Sequence, residues 1–292
     1  MKVLVTGGTG FVGPKVVHAL RAGGHDVRAL VRDPRRGRGL EAWGCELAVG
    51  DVTDAASLAA AVDGIETVVH LVAIISGPPG AYRRVMEEGT RNLVEASAEV
   101  KRFVLMSALG VSEETRNLVP YYHAKWEMEQ AVAGAGFEHV VFRPSFVFGR
   151  DGGVLPLFVR QVRWSPVVPV LGSGRTRLQP IWIDDVASFF AAAVSREAPT
   201  GTFELGGPDA VTWDELYERI RRTLGVRRAM LHLPFGLVRP AAAIAERLPG
   251  APITRDQLTM LKAGDNICDV GPALAAFEVD LLPLDEQLRR VA

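Results

Sequence analysis

Met1-Lys-Val-Leu-Val-Thr6-Gly7-Gly8-Thr9-Gly10-Phe11-Val12-Gly13 opens the chain and decides the reading of its fold. A short apolar strand, Val3 to Val5, runs into glycines at positions 7, 10 and 13, and a helical pattern follows at once. Such a βα turn suits a dinucleotide pyrophosphate. Gly7 permits the tight turn, Gly10 lets the backbone approach the phosphates, and Gly13 lets the helix pack closely on the strand. The helix N-terminus offers free N–H groups and a partial positive charge to the anion. Thr9, Phe11 and Val12 supply the backbone between the glycines. The spacing is Gly-x-x-Gly-x-x-Gly rather than Gly-x-Gly-x-x-Gly, and an ordinary tight βα turn could be built from the same residues.

Outward from that turn, strands are predicted at 2–6, 27–31, 47–49, 67–72, 103–106 and 139–142. They alternate with helices at 14–22, 57–62, 82–99 and 121–134. The run 67–72 is continuously apolar, as expected of a strand buried on both faces. This alternation predicts an α/β fold, a Rossmann-type doubly wound parallel sheet. The pattern loosens after Arg143-Pro144. Residues 146–180 are rich in Gly and Pro, followed by a strand at 181–183, a helix at 186–194 and a strand at 203–205. A helix at 212–224 has Thr212 as its cap, with Glu215 completing a capping box. Residues 1–150 thus read as a dinucleotide-binding core. Residues 151–292 read as a smaller substrate or partner lobe, interleaved with core segments near 181–206.

The 292 residues carry a net charge of −1 and no basic stripe, which argues against a nucleic-acid partner; the cluster Arg32, Arg35, Arg36 and Arg38 is local. Cys45 and Cys268 lack metal-ligand spacing, so no metal site is expected and a reducing cytoplasm is implied. Met1 nearly begins the first strand, so no signal peptide is expected. No apolar run approaches the roughly 20 residues of a membrane span. The amphipathic stretch Leu237 to Leu248, with charges at Arg239, Glu246 and Arg247, suits docking on the core or a peripheral contact with a membrane surface or partner.

Arg32 ends the second strand. Folds that prefer NAD place an acid there for the ribose 2′-hydroxyl, whereas an arginine suits a 2′-phosphate. NADP(H) is therefore the preferred cofactor, and Asp33 keeps NAD(H) open. Asp51, with Val52, follows the third strand, where it can accept from the adenine amino group or serve as a turn cap. Leu71, Val72 and Ala73 would line the adenine–ribose path. Tyr121 and Lys125 stand four apart on one helix and face the same way. A lysine beside a phenol lowers the phenol's pKa and makes it a usable acid or base. His70 lies in the buried strand and reads as a satisfied core histidine. His123 is about 200° round the helix from Tyr121.

The chain resembles the extended short-chain dehydrogenases/reductases of the epimerase/dehydratase-like branch. The matching pieces are Thr6–Gly13, Gly50-Asp-Val52, Gly89-Thr-Arg-Asn-Leu93, Tyr121-x-x-x-Lys125, Arg143-Pro-Ser-Phe-Val-Phe-Gly149, Ile183-Asp-Asp-Val-Ala187 and Glu204-Leu-Gly-Gly-Pro208. A narrower resemblance, to atypical members related to the 39-kDa accessory subunit of respiratory complex I, rests on Ser107-Ala-Leu-Gly110, Pro252–Gln257 and Asp265-Asn266. The family's catalytic set is Asn, Ser, Tyr and Lys. Tyr121 and Lys125 match the last two. Met86 stands where the Asn belongs, and Ala108 or Leu109 where the Ser belongs; Ser107 is the nearest hydroxyl. The resemblance places the nicotinamide beside Pro144 and Phe146. It implies a small-molecule carbonyl or hydroxyl substrate and an oxidoreductase or a sugar-nucleotide epimerase/dehydratase relative. It also allows a homodimer through the 82–99 and Tyr121 helices. The alternative it raises is a cofactor-binding structural or assembly protein with a respiratory-complex partner.

Overall fold

A computed structural model describes residues 1–78, 80–246 and 254–292. Arg247 and Leu248 of the amphipathic stretch, and Pro252 and Ile253 of the narrower match, lie outside the described residues. In chain order the elements are β1 (Lys2–Thr6), α1 (Gly13–Ala22), β2 (Asp26–Val31), α2 (Pro34–Ala42), β3 (Glu46–Val49), α3 (Leu58–Val62), β4 (Thr67–His70), α4 (Gly89–Ala96), β5 (Arg102–Met106), α5 (Pro120–Ala133) and β6 (Glu138–Pro144). There follow β7 (Val147–Phe148), α6 (Leu155–Trp164), β8 (Val167–Leu171), β9 (Arg177–Leu178), β10 (Ile181–Trp182), α7 (Ile183–Ala193), β11 (Gly201–Leu205), β12 (Val211–Thr212) and α8 (Trp213–Leu224). The chain closes with β13 (Ala229–Leu233), α9 (Phe235–Ala245), α10 (Arg255–Lys262), α11 (Gly271–Phe277) and α12 (Leu284–Val291).

Residue contacts divide the chain into two units. The first holds Met1–Pro144, Ile183–Leu205 and Val270–Asp280; the second holds Ser145–Trp182, Gly206–Asp269 and Leu281–Ala292. In the first, seven parallel strands lie in the order β11-β6-β5-β4-β1-β2-β3. β1 and β4 are neighbours from opposite halves of the winding, so the topological switch point falls between them. Ligands of open α/β sheets bind beyond the carboxyl ends of the strands at that point. β1, β4 and β5 are buried along nearly their whole length, which is why their central residues are apolar without alternation. On one side Phe142, Phe189, Phe190, Phe203 and Phe277 interlock at ring separations of 5.0–6.3 Å, joining β6 and β11 to α7 and α11. The buried guanidinium of Arg102 donates to the carbonyls of Ala193, Arg196 and Ala198, closing the C-terminal end of α7.

Several elements differ from the sequence reading. α2 was not expected: Asp33 accepts from the Arg35 N–H at 2.9 Å as its N-cap, and Pro34 opens the first turn. Arg35, Arg36 and Arg38 therefore sit on a helix, while Arg32 lies between β2 and α2. β4 ends at His70, two residues early. The 82–99 helix contains a π-helical stretch, Arg83–Glu88, before α4. Ile183 starts α7 instead of ending β10.

In the second unit, short strand pairs surround α6 and α8. Thr212 and Glu215 form the expected capping box on α8. Phe158 packs edge-on against Trp213 and Tyr217. Phe148, Leu155 and Trp182 are buried in its core, while Trp164 is exposed. α9 contains Pro240. Among the described residues no helix is long and apolar enough to cross a membrane, and no disulfide joins Cys45 and Cys268.

Candidate functional site

Because all seven strands run the same way, the residues that follow them share one edge. Gly7–Gly13 follow β1, Arg32 follows β2, Asp51 and Val52 follow β3, Leu71–Ala73 follow β4, Ser107 follows β5, and Pro144 ends β6. Gly7 has φ +77°, and a Cβ there would lie 2.9 Å from the Leu71 carbonyl carbon and 3.0 Å from the Val72 N. The glycine turn thus passes directly over the end of β4, at the switch point. A Cβ on Gly13 would overlap the Gly7 carbonyl oxygen and lie 2.6 Å from Gly8. A Cβ on Gly10 would meet only the Gly7 carbonyl oxygen, at 3.2 Å, and the residue is exposed. No side chain caps the N-terminus of α1, and Pro14 brings no N–H to it. Glycines that permit close approach and an uncapped helix start fit a dinucleotide pyrophosphate.

Below the turn lies a buried polar chain. The Thr90 hydroxyl donates to the Met86 carbonyl at 2.5 Å and accepts from His70 Nε2 at 3.0 Å. Nδ1 of His70 then accepts from the Thr6 hydroxyl at 2.6 Å. His70 is fully buried; burial first, and the Lys125 charge second, push its pKa down to about 3. It is the satisfied core histidine expected from sequence. Thr6 and Thr90 were not singled out, since nothing in their spacing signals a partnership across 84 residues of chain. Met86 is wholly buried in the π-helical stretch.

Tyr121 and Lys125 occupy successive turns of α5, and Lys125 Nζ lies 5.9 Å from the centre of the Tyr121 ring. Nζ donates to the Met106 carbonyl at the end of β5, at 2.5 Å. Lys125 is 1% exposed, and burial pushes its pKa down to about 7, against an upward pull from Glu129. Burial also raises the Tyr121 phenol, with Tyr122 and Tyr82 adding to the effect. The expected lowering of the phenol is absent because desolvation disfavours both charged forms here. Ser107 is 2% exposed, and its hydroxyl has no hydrogen-bond partner among the described residues. Arg143 forks onto Glu129 at 2.6 and 3.0 Å, an ion pair that fixes the end of β6 to α5.

Arg32, Arg35 and Arg36 are exposed and form no ion pair among the described residues, while Asp33 is engaged as the α2 cap. Asp51 Oδ1 accepts from the Thr53 N–H and hydroxyl, the turn-cap arrangement. Val52 is buried, and its carbonyl accepts from Asn92. Leu71 is buried, Val72 half-buried and Ala73 exposed; Pro144 is buried and its carbonyl accepts from the Leu109 N–H. Phe146 belongs to the second unit, where its ring meets Trp213 edge-on at 5.7 Å. His123 is exposed.

A sequence-family profile described as NAD(P)H-binding matches residues 7–158, more than half the chain. A second, described as the RmlD substrate binding domain, matches residues 108–263. The ceramide reductase of Caulobacter vibrioides is 32% identical over 252 residues, covering 84% of this chain and 77% of that protein. The mitochondrial NADH dehydrogenase [ubiquinone] 1 alpha subcomplex subunit 9 of Arabidopsis thaliana is 30% identical over 197 residues, covering 63% of this chain and 48% of that subunit. The crystal structure of UDP-glucose 4-epimerase from Thermotoga maritima with UDP-glucose shares the fold, with a TM-score of 0.77 over 99% of this chain and 96% of that one, at 21% identity. With the glycine turn at the switch point and Tyr121 and Lys125 on α5, these matches establish that the chain belongs to the NAD(P)H-binding short-chain dehydrogenases/reductases, in their extended, epimerase/dehydratase-like branch.

Proposed function

We propose that the protein is an NADP(H)-dependent oxidoreductase, or an epimerase/dehydratase relative, acting on a carbonyl or hydroxyl carbon of a small molecule in the cytoplasm. The observation that carries this reading is the stacking of Tyr121 and Lys125 beside the carboxyl end of β5. A nicotinamide bound there supplies or accepts hydride. Tyr121 gives its proton to the substrate oxygen, or takes one from it. Its raised pKa keeps the phenol protonated and favours the donor role. Lys125 titrates near neutral pH and reaches for the ribose hydroxyls. Ser107, whose buried hydroxyl is unpartnered, donates to the same substrate oxygen.

Gly7, Thr9, Gly10, Phe11, Val12 and Gly13 would hold the pyrophosphate, and Asp51, Val52, Leu71, Val72 and Ala73 the adenosine half. Pro144, at the end of β6, would flank the nicotinamide. NADP(H) is preferred over NAD(H) because the exposed guanidinium groups of Arg32, Arg35 and Arg36 lack carboxylate partners among the described residues, whereas the Asp33 carboxylate is engaged.

A second reading is a structural or assembly protein that holds the dinucleotide without fast turnover. Met86, buried where the family pattern has an asparagine, favours it, as does the likeness to the Arabidopsis subunit. One experiment separates the two. The protein is freed of nucleotide, reloaded with NADPH and screened against carbonyl substrates. A substrate turned over by the wild type should lose at least about 100-fold in kcat in Tyr121→Phe, with NADPH affinity retained. Turnover unchanged by that substitution overturns the proton-donor assignment. No turnover, with NADP(H) that copurifies and resists dialysis, supports the second reading.

A further inference from the structure

The second unit exposes apolar side chains at its β8–β13 ribbon, here called the tip. β8 and β13 pair in parallel, with Val167 opposite Ala229 and Pro169 opposite Leu231. Partnered residues of such a pair share a face and alternate residues take the other. Val168 and Val170 are buried. Val167 and Leu231 therefore belong to the opposite face, where they are 41% and 53% exposed. Trp164 ends α6 three residues before Val167 and is 76% exposed. Arg228 donates to the Arg163 carbonyl at 3.1 Å, so the two segments enter the ribbon side by side.

The charge around the tip has one sign. Residues 160–171 and 225–233 carry Arg160, Arg163, Arg227 and Arg228 and no acid. Asp214 reaches the ribbon and is bonded to His232, which alternates with Leu231 and so faces the other way. A second copy of this tip would bring arginines against arginines. Apolar side chains on segments that carry arginines and no carboxylate match a surface that offers phosphates above an apolar layer.

We propose that this tip docks the protein peripherally on a membrane bearing anionic phospholipid. Trp164, Val167 and Leu231 enter the boundary between headgroups and acyl chains, and the arginines meet the phosphates. The proposal does not depend on whether the first unit turns over a substrate.

The test is sedimentation of the full chain with phosphatidylcholine vesicles, with and without about one-third phosphatidylglycerol. Binding should require the anionic lipid and fall as salt is raised. Arg163→Gln and Arg227→Gln should each weaken it about fivefold. Trp164→Ser with Leu231→Ser should weaken it about tenfold or more. NADPH affinity serves as the control for folding in each variant. If the apolar double variant does not fold, the two exposed arginine variants decide alone. Failure to bind anionic vesicles, equal binding to neutral ones, or binding unchanged in folded variants overturns the proposal. So does a wild-type oligomer that dissociates in Trp164→Ser, which would make the tip a contact between copies. Capture of an acidic soluble protein in place of vesicles would overturn it as well.

Discussion

Replacing Lys125 with methionine should make the protein more stable, by an amount that depends on pH. The amine is fully buried, its one hydrogen bond is to a neutral carbonyl, and its pKa falls from 10.5 to about 7. At about 1.4 kcal/mol per pH unit, that fall corresponds to a penalty on the order of 3–5 kcal/mol for the charged form. Below pH 7 the lysine is protonated in both folded and unfolded chains, so the whole penalty is present. Between pH 7 and 10.5 the unfolded chain holds a proton that the folded one lacks, so stability rises with pH. Above 10.5 the amine is neutral in both and the penalty is gone. Methionine fills a similar volume without charge, but it leaves the Met106 carbonyl unpaired at a cost of about 1–2 kcal/mol. The net gain is about 2–3 kcal/mol at pH 7, or a rise in Tm of about 5 °C. Thermal melts of nucleotide-free wild type and Lys125→Met from pH 6 to 10 measure it. The Tm difference should be largest at the acid end and shrink toward pH 10. A methionine variant less stable than wild type at pH 6, or a difference that does not change with pH, refutes the argument that this lysine is held in place against its own solvation.

Other perturbations address neighbouring parts of the site. Gly13→Ala should lose about 1–3 kcal/mol in denaturant unfolding, because the new methyl overlaps the Gly7 carbonyl. It should also weaken NADPH binding by tenfold or more, since α1 must retreat from the turn. Arg32→Glu should cut NADPH affinity at least about tenfold in fluorescence titration while leaving NADH nearly unchanged; equal losses for both cofactors would assign Arg32 no role at the 2′-position. Thr90→Val is close to isosteric but leaves His70 Nε2–H without an acceptor, so it should lower stability by about 1–3 kcal/mol. An unaltered melting curve would mean that the Thr6–His70–Thr90 chain does not bind the turn to α4.

What could be read from sequence was what local physics decides. The glycine turn was legible because Gly7 and Gly13 occupy positions where a side chain has no room. The strands were legible because β1, β4 and β5 are buried on both faces and have no reason to alternate. α2 was missed although Asp33-Pro34 is a helix-start signal, because its residues are mostly polar and only Gly37 and Leu40 are buried. The π-helical stretch before α4 leaves no mark in the hydrophobic period. The state of Tyr121 was misjudged for a different reason. Spacing correctly set it beside Lys125, but the sign of its shift depends on how much water reaches either group, and that is set by the packing of α5 against Tyr82 and the end of β5. The Glu129–Arg143 pair likewise depends on α5 and β6 meeting.

Three titratable groups at this sheet edge are thus displaced toward neutrality. His70 is held neutral, Lys125 titrates near pH 7, and the Tyr121 phenol is pushed up. A site of this kind gains most from a ligand that supplies what burial removed: hydroxyls for the ammonium to donate to and a carbonyl oxygen for the phenol. The same groups would be a poor choice for a purely structural cofactor site, where a lysine with a normal pKa at the surface would hold a ribose without weakening the fold. Met86 and Ala108 weigh on the other side, since each stands where the family's set has another residue. Yet the Met86 carbonyl still receives the Thr90 hydroxyl, and the Ser107 hydroxyl is buried with no partner of its own. In the proposed reaction a bound substrate oxygen takes that hydrogen bond, so Ser107 fits the enzyme better than a purely structural site.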